Sequence, residues 1–201
     1  MKKLISLISA LILIAAFAFA LTSCGTMKAE PFKANVSVDT EGHSLHYVEI
    51  VFKGYGTVSL TLDATVAPIT VNNFLNLANS DYFKNTYISR VQEGFVMQNE
   101  GGKGTDCIKG EFSANGIENG LKHKKGIISM ARNGVSMNSA SDQFFIMLTD
   151  YSGLDGEYAA FGYTVAGLDV VDAIAKVATN YNDYPKTDVV ITSIRFAQIA
   201  G

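Results

Sequence analysis

The sequence has few prolines, cysteines and histidines and no excess of positive charge, and each shortage excludes a class of protein. Three prolines among 201 residues exclude collagen and Pro-rich linker proteins. Two cysteines cannot form a disulfide framework, and three histidines leave little for a metal site. A net charge of −3 without a basic stripe argues against a nucleic-acid partner. With 48% apolar and 17% charged residues, the chain is a Gly-rich globular protein of one or at most two domains.

The first 23 residues have the pattern of a secretory signal peptide. Met1-Lys2-Lys3 is a positively charged start, and the stretch from Leu4 to Leu21 is apolar except for two serines. About 18 apolar residues could also span a bilayer as a helix. The stretch ends in LTSCG, which resembles the lipobox of bacterial lipoproteins. We therefore interpret 1–23 as a lipoprotein signal peptide and Cys24 as the lipidated N-terminus, with an uncleaved membrane anchor as the alternative.

Lipidation of Cys24 would attach the mature chain to a membrane. A diacylglycerol carries two acyl chains, which anchor a protein stably where one chain is marginal. Cys107 would then have no partner in the chain, so we predict a free thiol there. Residues 24–45 lack periodicity and are predicted to tether the lipid to a domain at 46–199. The predicted location is the cell envelope, outside the cytoplasm.

Short strand patterns dominate the chain from residue 46 onward. Tyr47–Phe52 and the alternating stretch Thr57–Leu62 are predicted to form a hairpin around the turn Gly54-Tyr55-Gly56. Further strands are predicted at Tyr87–Val91, Phe95–Gln98, Gly126–Met130, Phe144–Leu148, Ala160–Val165 and Val189–Phe196.

Two helical patterns interrupt the strands. The first begins at Pro68, a residue suited to a first helical turn, and its apolar face comprises Val71, Phe74, Leu75 and Ala78. The second runs from Leu168 to about Ala175, with Leu168, Val171 and Ala175 on one face. A parallel βαβ plan is excluded because it needs a helix for each crossover. An antiparallel barrel or sandwich fits, since closing a sheet removes its unpaired edges. In a barrel, the helices would cover the open ends.

The usual catalytic and metal-binding patterns do not occur. The histidines have neither cysteine neighbours nor i,i+4 spacing, so we expect no zinc site. No G-x-S-x-G motif is found, and the serines of 136–141 have no neighbouring base. The segment 101–104 (GGKG) lacks the Lys-Ser/Thr and the helix of a phosphate-binding loop. We expect neither a metal nor a cofactor.

Two segments combine polar and aromatic residues in strand-like stretches. In residues 88–98, Arg90 interrupts an apolar run. In residues 139–146, strand alternation places Gln143 and Phe145 on one face and the intervening phenylalanine on the other. From the pattern alone, the simplest interpretation is a surface ion pair for the arginine and core positions for the phenylalanines.

Several sequence blocks, in chain order, resemble the cyclophilins, which are peptidyl-prolyl cis-trans isomerases. The blocks are APITVNNFLNLANSDYF, ISRVQEGFVMQ, IKGEFSANG, KHKKGIISMAR, NSASDQFFI and LDGEYAAFGYTVAGLDVVDAI. They extend from about Tyr47 to Phe196, nearly the whole mature domain. The resemblance implies a mainly β fold, a closed eight-stranded antiparallel barrel capped by two α-helices, with an active-site groove on its outside.

The resemblance also implies the site residues. The family's catalytic arginine matches Arg90, and the residues grouped with it as catalytic are Phe95, Gln98 and Phe145. The residues implied to bind substrate are Val96, Ala131, Arg132, Gln143, Leu154 and Tyr158.

The sequence departs from the family pattern at several of these positions. The Phe-His that usually precedes the arginine is Ile88-Ser89, the pocket methionine is Val96, and a groove asparagine is Arg132. An often aromatic position is Gly153, and the usual histidine is Tyr158. Because Gly153 removes an apolar wall, we expect weak binding of cyclosporin-like ligands. Because Tyr158 replaces the usual histidine, we expect reduced or altered turnover of peptides.

Isomerisation of an X-Pro bond crosses a barrier of about 18–20 kcal/mol without making or breaking a bond. It therefore needs no nucleophile, proton shuttle, metal or cofactor. Arg90 would donate a hydrogen bond to the lone pair that the proline nitrogen regains in the twisted transition state. We predict a monomeric isomerase acting on X-Pro bonds of unfolded or partly folded extracytoplasmic proteins. The alternative is a non-enzymatic module that binds proline-containing peptides or acts as a chaperone at the membrane surface.

Overall fold

The structure, a computed structural model, describes residues 38–40, 42–101 and 104–196. The strands in these ranges are β1 (Val38–Thr40), β2 (His43–Phe52), β3 (Gly56–Asp63), β4 (Thr86–Gln92), β5 (Val96–Asn99), β6 (Ile127–Met130), β7 (Phe144–Met147), β8 (Ala160–Ala166) and β9 (Val190–Phe196). The α-helices are α1 (Pro68–Asn79) and α2 (Leu168–Ala175). Each predicted strand and helix is therefore present, with ends that differ by a few residues.

Eight of the strands form a closed antiparallel barrel. From β2 the hydrogen-bonded neighbours follow the order β3, β8, β6, β7, β5, β4 and β9, and β9 then pairs with β2. The expected eight-stranded antiparallel barrel with two helices is confirmed. The short β1 pairs with the first residues of β2. The sheet thus extends into the segment 24–45 that the sequence assigns to the tether.

Strand alternation fills the interior of the barrel with apolar side chains. The buried residues of the first hairpin include Val48, Ile50 and Phe52 on β2 and Val58 and Leu60 on β3. Because successive side chains of a strand point to opposite faces, the residues between these are free to face outward. The same rule, applied to β5, β6 and β7, sends a second set of apolar residues to the outside of the barrel.

The two helices pack their apolar faces onto this core. The predicted face of α1 is buried as expected, and the ring centre of Phe74 lies 5.3–5.5 Å from those of Phe83, Phe144 and Phe161. In α2 the buried residues are instead Val170, Val171 and Ile174, whereas Leu168 is 41% exposed. The predicted face of α2 is therefore wrong at its first residue, since Leu168 packs beside Gly126 instead of entering the core.

Cys107 is disulfide-bonded, and the described residues include no free cysteine. The prediction of a free thiol at Cys107 is therefore wrong. The only other cysteine of the chain is Cys24. Like the predicted signal peptide 1–23 and the last predicted domain residues, 197–199, it lies outside the described residues. Within the described ranges, no helix combines the length and the apolar character needed to cross a membrane.

Candidate active site

The outward-facing apolar residues form a second cluster on the outside of the barrel, which we call the outer cluster. Its buried members are Val96, Ile127, Ala131, Phe145, Met147 and Ala160, and the residues packed against them are Phe95, Leu121, Leu154 and Tyr158. On β7, Phe144 belongs to the core and Phe145 to the outer cluster, as strand alternation predicts. The outer cluster therefore brings together most of the apolar site residues that the resemblance implies.

The polar site residues are aligned with this cluster by strand register. Arg90 on β4 is opposite Gln98 on β5, which is opposite Phe145 on β7. Phe145 is in turn opposite Ser129 on β6. The Cβ atoms of directly opposed residues in antiparallel strands lie about 5 Å apart on one face. The register therefore places a guanidinium, an amide and an aromatic ring in one row across the outer face.

Two acceptors orient the Arg90 side chain, which is 39% exposed. Its Nε donates a hydrogen bond to Oδ2 of Asp183 at 3.5 Å, and its Nη2 donates one to Oε1 of Gln92. The guanidinium carbon lies 5.8 Å from the ring centre of Phe95. Since a guanidinium has five N–H donors, these two bonds leave donors for a ligand. Arg90 thus makes a surface ion pair and also borders the outer cluster.

Gln143 lies at the start of β7, beside Ala131. Its Nε2 donates a hydrogen bond to the carbonyl oxygen of Asn99 at 3.1 Å. The backbone carbonyl oxygen of Gln143 accepts a hydrogen bond from the Ala131 amide at 2.8 Å. A methyl group added at Gly101 would lie 2.9 Å from Cβ of Gln143, so glycine lets the chain pass close to this side chain. Backbone and loop together hold Gln143 at the edge of the outer cluster.

Arg132 and Tyr158, two departures from the family pattern, contact each other. The Arg132 guanidinium lies 4.8 Å from the ring centre of Tyr158 and 5.4 Å from that of Phe112. It also donates to the carbonyl oxygen of Glu157 at 2.9 Å and to its Oε2 at 3.1 Å. The Tyr158 ring is edge-on to that of Phe145, with centres 5.9 Å apart. Arg132 therefore reaches the outer cluster through a cation–π contact with one of its members.

His123 lies behind Phe145 and was not predicted to be a site residue. Its ring is stacked on the Phe145 ring, with centres 6.1 Å apart and planes inclined by 19°. Its Nδ1 is 3.0 Å from Oδ1 of Asp155, and its Nε2 is 3.0 Å from Oγ of Ser129. Burial lowers the pKa of His123 despite the opposing effect of Asp155. No spacing rule marks these three residues, because Asp155 lies 32 positions from His123 along the chain.

The geometry is that of an apolar cluster with two adjacent guanidinium groups, Arg90 and Arg132, and two amide side chains, Gln98 and Gln143. Such an arrangement can bind an apolar ring and donate hydrogen bonds to a peptide beside it. Among the described residues, no three His, Cys, Asp or Glu side chains are grouped to hold a metal ion.

Comparison with known proteins decides the family. The model of the family described as "Cyclophilin type peptidyl-prolyl cis-trans isomerase/CLD" matches residues 47–196. This chain belongs to the cyclophilins. As a cyclophilin it is a peptidyl-prolyl cis-trans isomerase, an enzyme that rotates X-Pro bonds.

Relatives and solved structures agree with this assignment. The chain is 37% identical over 152 residues to peptidyl-prolyl cis-trans isomerase A of Dickeya dadantii, covering 70% of this chain and 79% of that one. It is 37% identical over 147 residues to peptidyl-prolyl cis-trans isomerase B of Escherichia coli, covering 66% of this chain and 88% of that one. A crystal structure of a Cryptosporidium parvum cyclophilin matches with a TM-score of 0.70 and 27% identity, over 77% of this chain and 98% of that one. The same protein in the presence of the dipeptide Ala-Pro matches with a TM-score of 0.69 and 27% identity, over 76% and 99%.

Proposed function

We propose that this cyclophilin isomerises X-Pro bonds of extracytoplasmic proteins, assists their folding, and uses Arg90 as its catalytic residue. The alignment of Arg90 with Gln98 and Phe145 beside the outer cluster carries the proposal. The enzyme is proposed to act as a monomer.

The chemistry requires stabilisation of a twisted imide. In the transition state the C–N bond loses its partial double-bond character, and the proline nitrogen regains a lone pair. A guanidinium donates to that lone pair without titrating, since it stays protonated at physiological pH. Arg90 is already oriented by Asp183 and Gln92, so little reorganisation is needed when the charge distribution changes.

The outer cluster is proposed to hold the proline ring while the preceding residue rotates. Phe95, Val96, Phe145 and Leu154 supply apolar surface for the ring. Gln98 and Gln143 are placed to bind the peptide backbone, and Ala131, Arg132 and Tyr158 border the neighbouring residue. About 7 kcal/mol of transition-state stabilisation would accelerate rotation by roughly five decades.

An Arg90→Ala substitution in the full-length chain tests the catalytic role. Without the donor, kcat/KM for a proline-containing peptide should fall by about 100-fold or more, the range found when one transition-state donor is removed. Arg195→Ala is the matched control, because Arg195 also forms a surface ion pair, with Glu49 at 2.7 Å on the β2–β9 seam. Its activity should stay within about twofold of wild type. Full activity of Arg90→Ala, with unchanged circular dichroism, contradicts the proposal.

The proposed location is the cell envelope, with a diacylglycerol on Cys24 as the membrane anchor. Because Cys24 is the only other cysteine of the chain, the anchored form is proposed to carry Cys107 as a thiol instead of the disulfide-bonded cysteine of the structure. The support comes from the sequence, in which a charged start and an apolar run end at a lipobox-like LTSCG. From this position the domain would meet X-Pro bonds of polypeptides that have left the cytoplasm. Uncatalysed, these bonds isomerise in tens to hundreds of seconds, slowly enough to limit folding.

A further inference from the structure

The ring of Tyr151 occupies the space in front of Gly153. A methyl group added at Gly153 would lie 2.7 Å from Cε1 of Tyr151, 3.0 Å from Cζ and 3.2 Å from Oη. These distances are too short for ordinary contacts, so a side chain at 153 and the present Tyr151 ring exclude each other. The space that a side chain at 153 would enter is therefore occupied by the ring of Tyr151.

Tyr151 also continues the surface that the site residues form. Its ring is edge-on to that of Phe95, with centres 5.2 Å apart and planes at 78°. The Arg90 guanidinium carbon lies 5.8 Å from the centre of the same Phe95 ring. Arg90, Phe95 and Tyr151 thus form a continuous line along the outer cluster. Tyr151 remains 49% exposed, which leaves part of its ring available to a bound peptide.

Backbone hydrogen bonds hold the segment that carries Tyr151. The Tyr151 amide donates to the carbonyl oxygen of His123 at 2.8 Å. The His123 amide in turn donates to Oδ1 of Asp155 at 2.8 Å. Between these anchors, Leu154 packs against the outer cluster. The Tyr151 ring is therefore carried by a segment attached at both ends.

The backbone does not require glycine at position 153. Gly153 is not among the glycines with positive φ, so an L residue can adopt its backbone conformation. The nearest obstacle to a side chain is the ring of Tyr151. Gly153 and Tyr151 thus form a pair in which the small residue makes room for the large one.

We infer that Tyr151 is a specificity-determining residue whose ring forms the wall of the peptide groove beside Phe95. The preferred substrates of the enzyme would be X-Pro peptides that carry a large apolar residue next to the proline, because contact between an aromatic ring and apolar surface contributes most to binding. This inference rests on the proposed function of the groove.

The test compares full-length wild type, Tyr151→Ala, Tyr151→Phe and Gly153→Ala on proline peptides with Phe or Gly at each flank. Tyr151→Ala should raise KM for a Phe-flanked peptide about tenfold, the loss expected from one aromatic contact. Its kcat should change by less than about twofold, since Arg90 is retained. Tyr151→Phe should resemble wild type. Tyr47→Ala, on β2 across the barrel, is the matched control and should leave KM unchanged.

A double-mutant cycle distinguishes a direct effect of the Tyr151 ring on peptide binding from a general disturbance of the segment that carries it. Gly153→Ala alone should raise KM, because its Cβ displaces the Tyr151 ring. In the Tyr151→Ala background the same change should add nothing, since the obstructing ring is gone. An unchanged KM in Tyr151→Ala, or strictly additive effects, overturns the inference.

Peptide affinity, measured by NMR together with cis/trans exchange, distinguishes this inference from the proposed function. If wild type binds the peptide without accelerating exchange, the proposed function fails and the dissociation constants of the same variants decide the role of Tyr151. If exchange is accelerated and all variants bind alike, only the role of Tyr151 fails. If wild type neither binds nor accelerates exchange, both fail.

Discussion

At the scale of single residues, the support behind Phe145 consists of a hydrogen-bonded chain of Asp155, His123 and Ser129. Burial alone would raise the pKa of Asp155, but the hydrogen bonds from the His123 amide and ring, with a smaller effect of Lys122, outweigh it and lower the pKa of Asp155 below its usual value. Burial lowers the pKa of His123. A neutral ring next to a carboxylate donates from Nδ1 and accepts the Ser129 hydroxyl at Nε2. The two partners thus fix the ring that is stacked on Phe145.

The lowered pKa of His123 predicts a stability that depends on pH. As the pH falls below about 6.5, the usual pKa of histidine, the unfolded chain takes up a proton that folded His123 does not. The free energy of unfolding should therefore decrease between about pH 6.5 and the lower pKa of the folded state. His123→Gln should lose this component of the pH dependence. Chemical denaturation at several pH values measures it.

Wild type, measured at the same pH values, provides the reference for this experiment. Since glutamine lacks the ring that is stacked on Phe145 and joins Asp155 to Ser129, His123→Gln should be less stable at neutral pH, by about 1–3 kcal/mol. An unchanged pH dependence in His123→Gln would show that this histidine is not held neutral by burial.

At the scale of elements, α1 obtains its N-terminal cap from outside the helix. Ala67, at the cap position, makes no side-chain hydrogen bond, and the first turn has no acidic residue. The buried Glu111 instead accepts the Ile69 amide at 3.0 Å and the Thr70 amide at 2.7 Å. The first amides of a helix have no partner within it and attract negative charge. A carboxylate far away in the chain therefore stabilises the start of α1.

Glu111→Gln should destabilise the protein without changing its fold. The amide keeps one acceptor oxygen but loses the negative charge and presents a donor to a helix amide. The free energy of unfolding should fall by about 1–3 kcal/mol, as measured by chemical denaturation. Glu118→Gln, at an exposed position, should change it by no more than about 0.5 kcal/mol. Equal stability of the two variants would show that the cap contributes nothing.

At the scale of the whole molecule, the last described strand closes the barrel. β9 pairs with β2 along Val48–Phe52 and with β4 at Thr86 and Tyr87. It thereby satisfies backbone groups on two strands that would otherwise be sheet edges. The closed barrel positions β4, β5, β7 and β6 side by side, and this order creates the outer cluster.

The proposed anchor gives a prediction for the whole chain. Expressed in a bacterium with labelled fatty acid, the full-length chain should incorporate label and partition into detergent, and Cys24→Ala should do neither. Cys107→Ala is the matched control and should keep the label. A thioether on Cys24 and a disulfide between Cys24 and Cys107 exclude each other. An unlabelled chain whose mobility changes on reduction would therefore overturn the anchor.

Local patterns in the sequence determined most of the elements. Alternation identified the hairpin β2–β3 and the opposite faces of Phe144 and Phe145, and the i, i+3, i+4 spacing identified the buried face of α1. These patterns act over a few residues, because the side-chain periods of strands and helices are local properties. Family resemblance, not periodicity, assigned roles to Arg90 and its neighbours.

Only the tertiary structure decided which distant residues meet. Glu111 reaches α1, Asp183 reaches Arg90, and His123 joins Asp155 to Ser129 across separations that carry no periodic signal. The filling of the space at Gly153 by Tyr151 depends on the direction of one ring, which the sequence does not specify. Periodicity determines where a side chain lies on its own strand or helix. Strand register and packing determine which residues of other strands and loops it contacts. The proposed peptide groove consists of such contacts between distant residues.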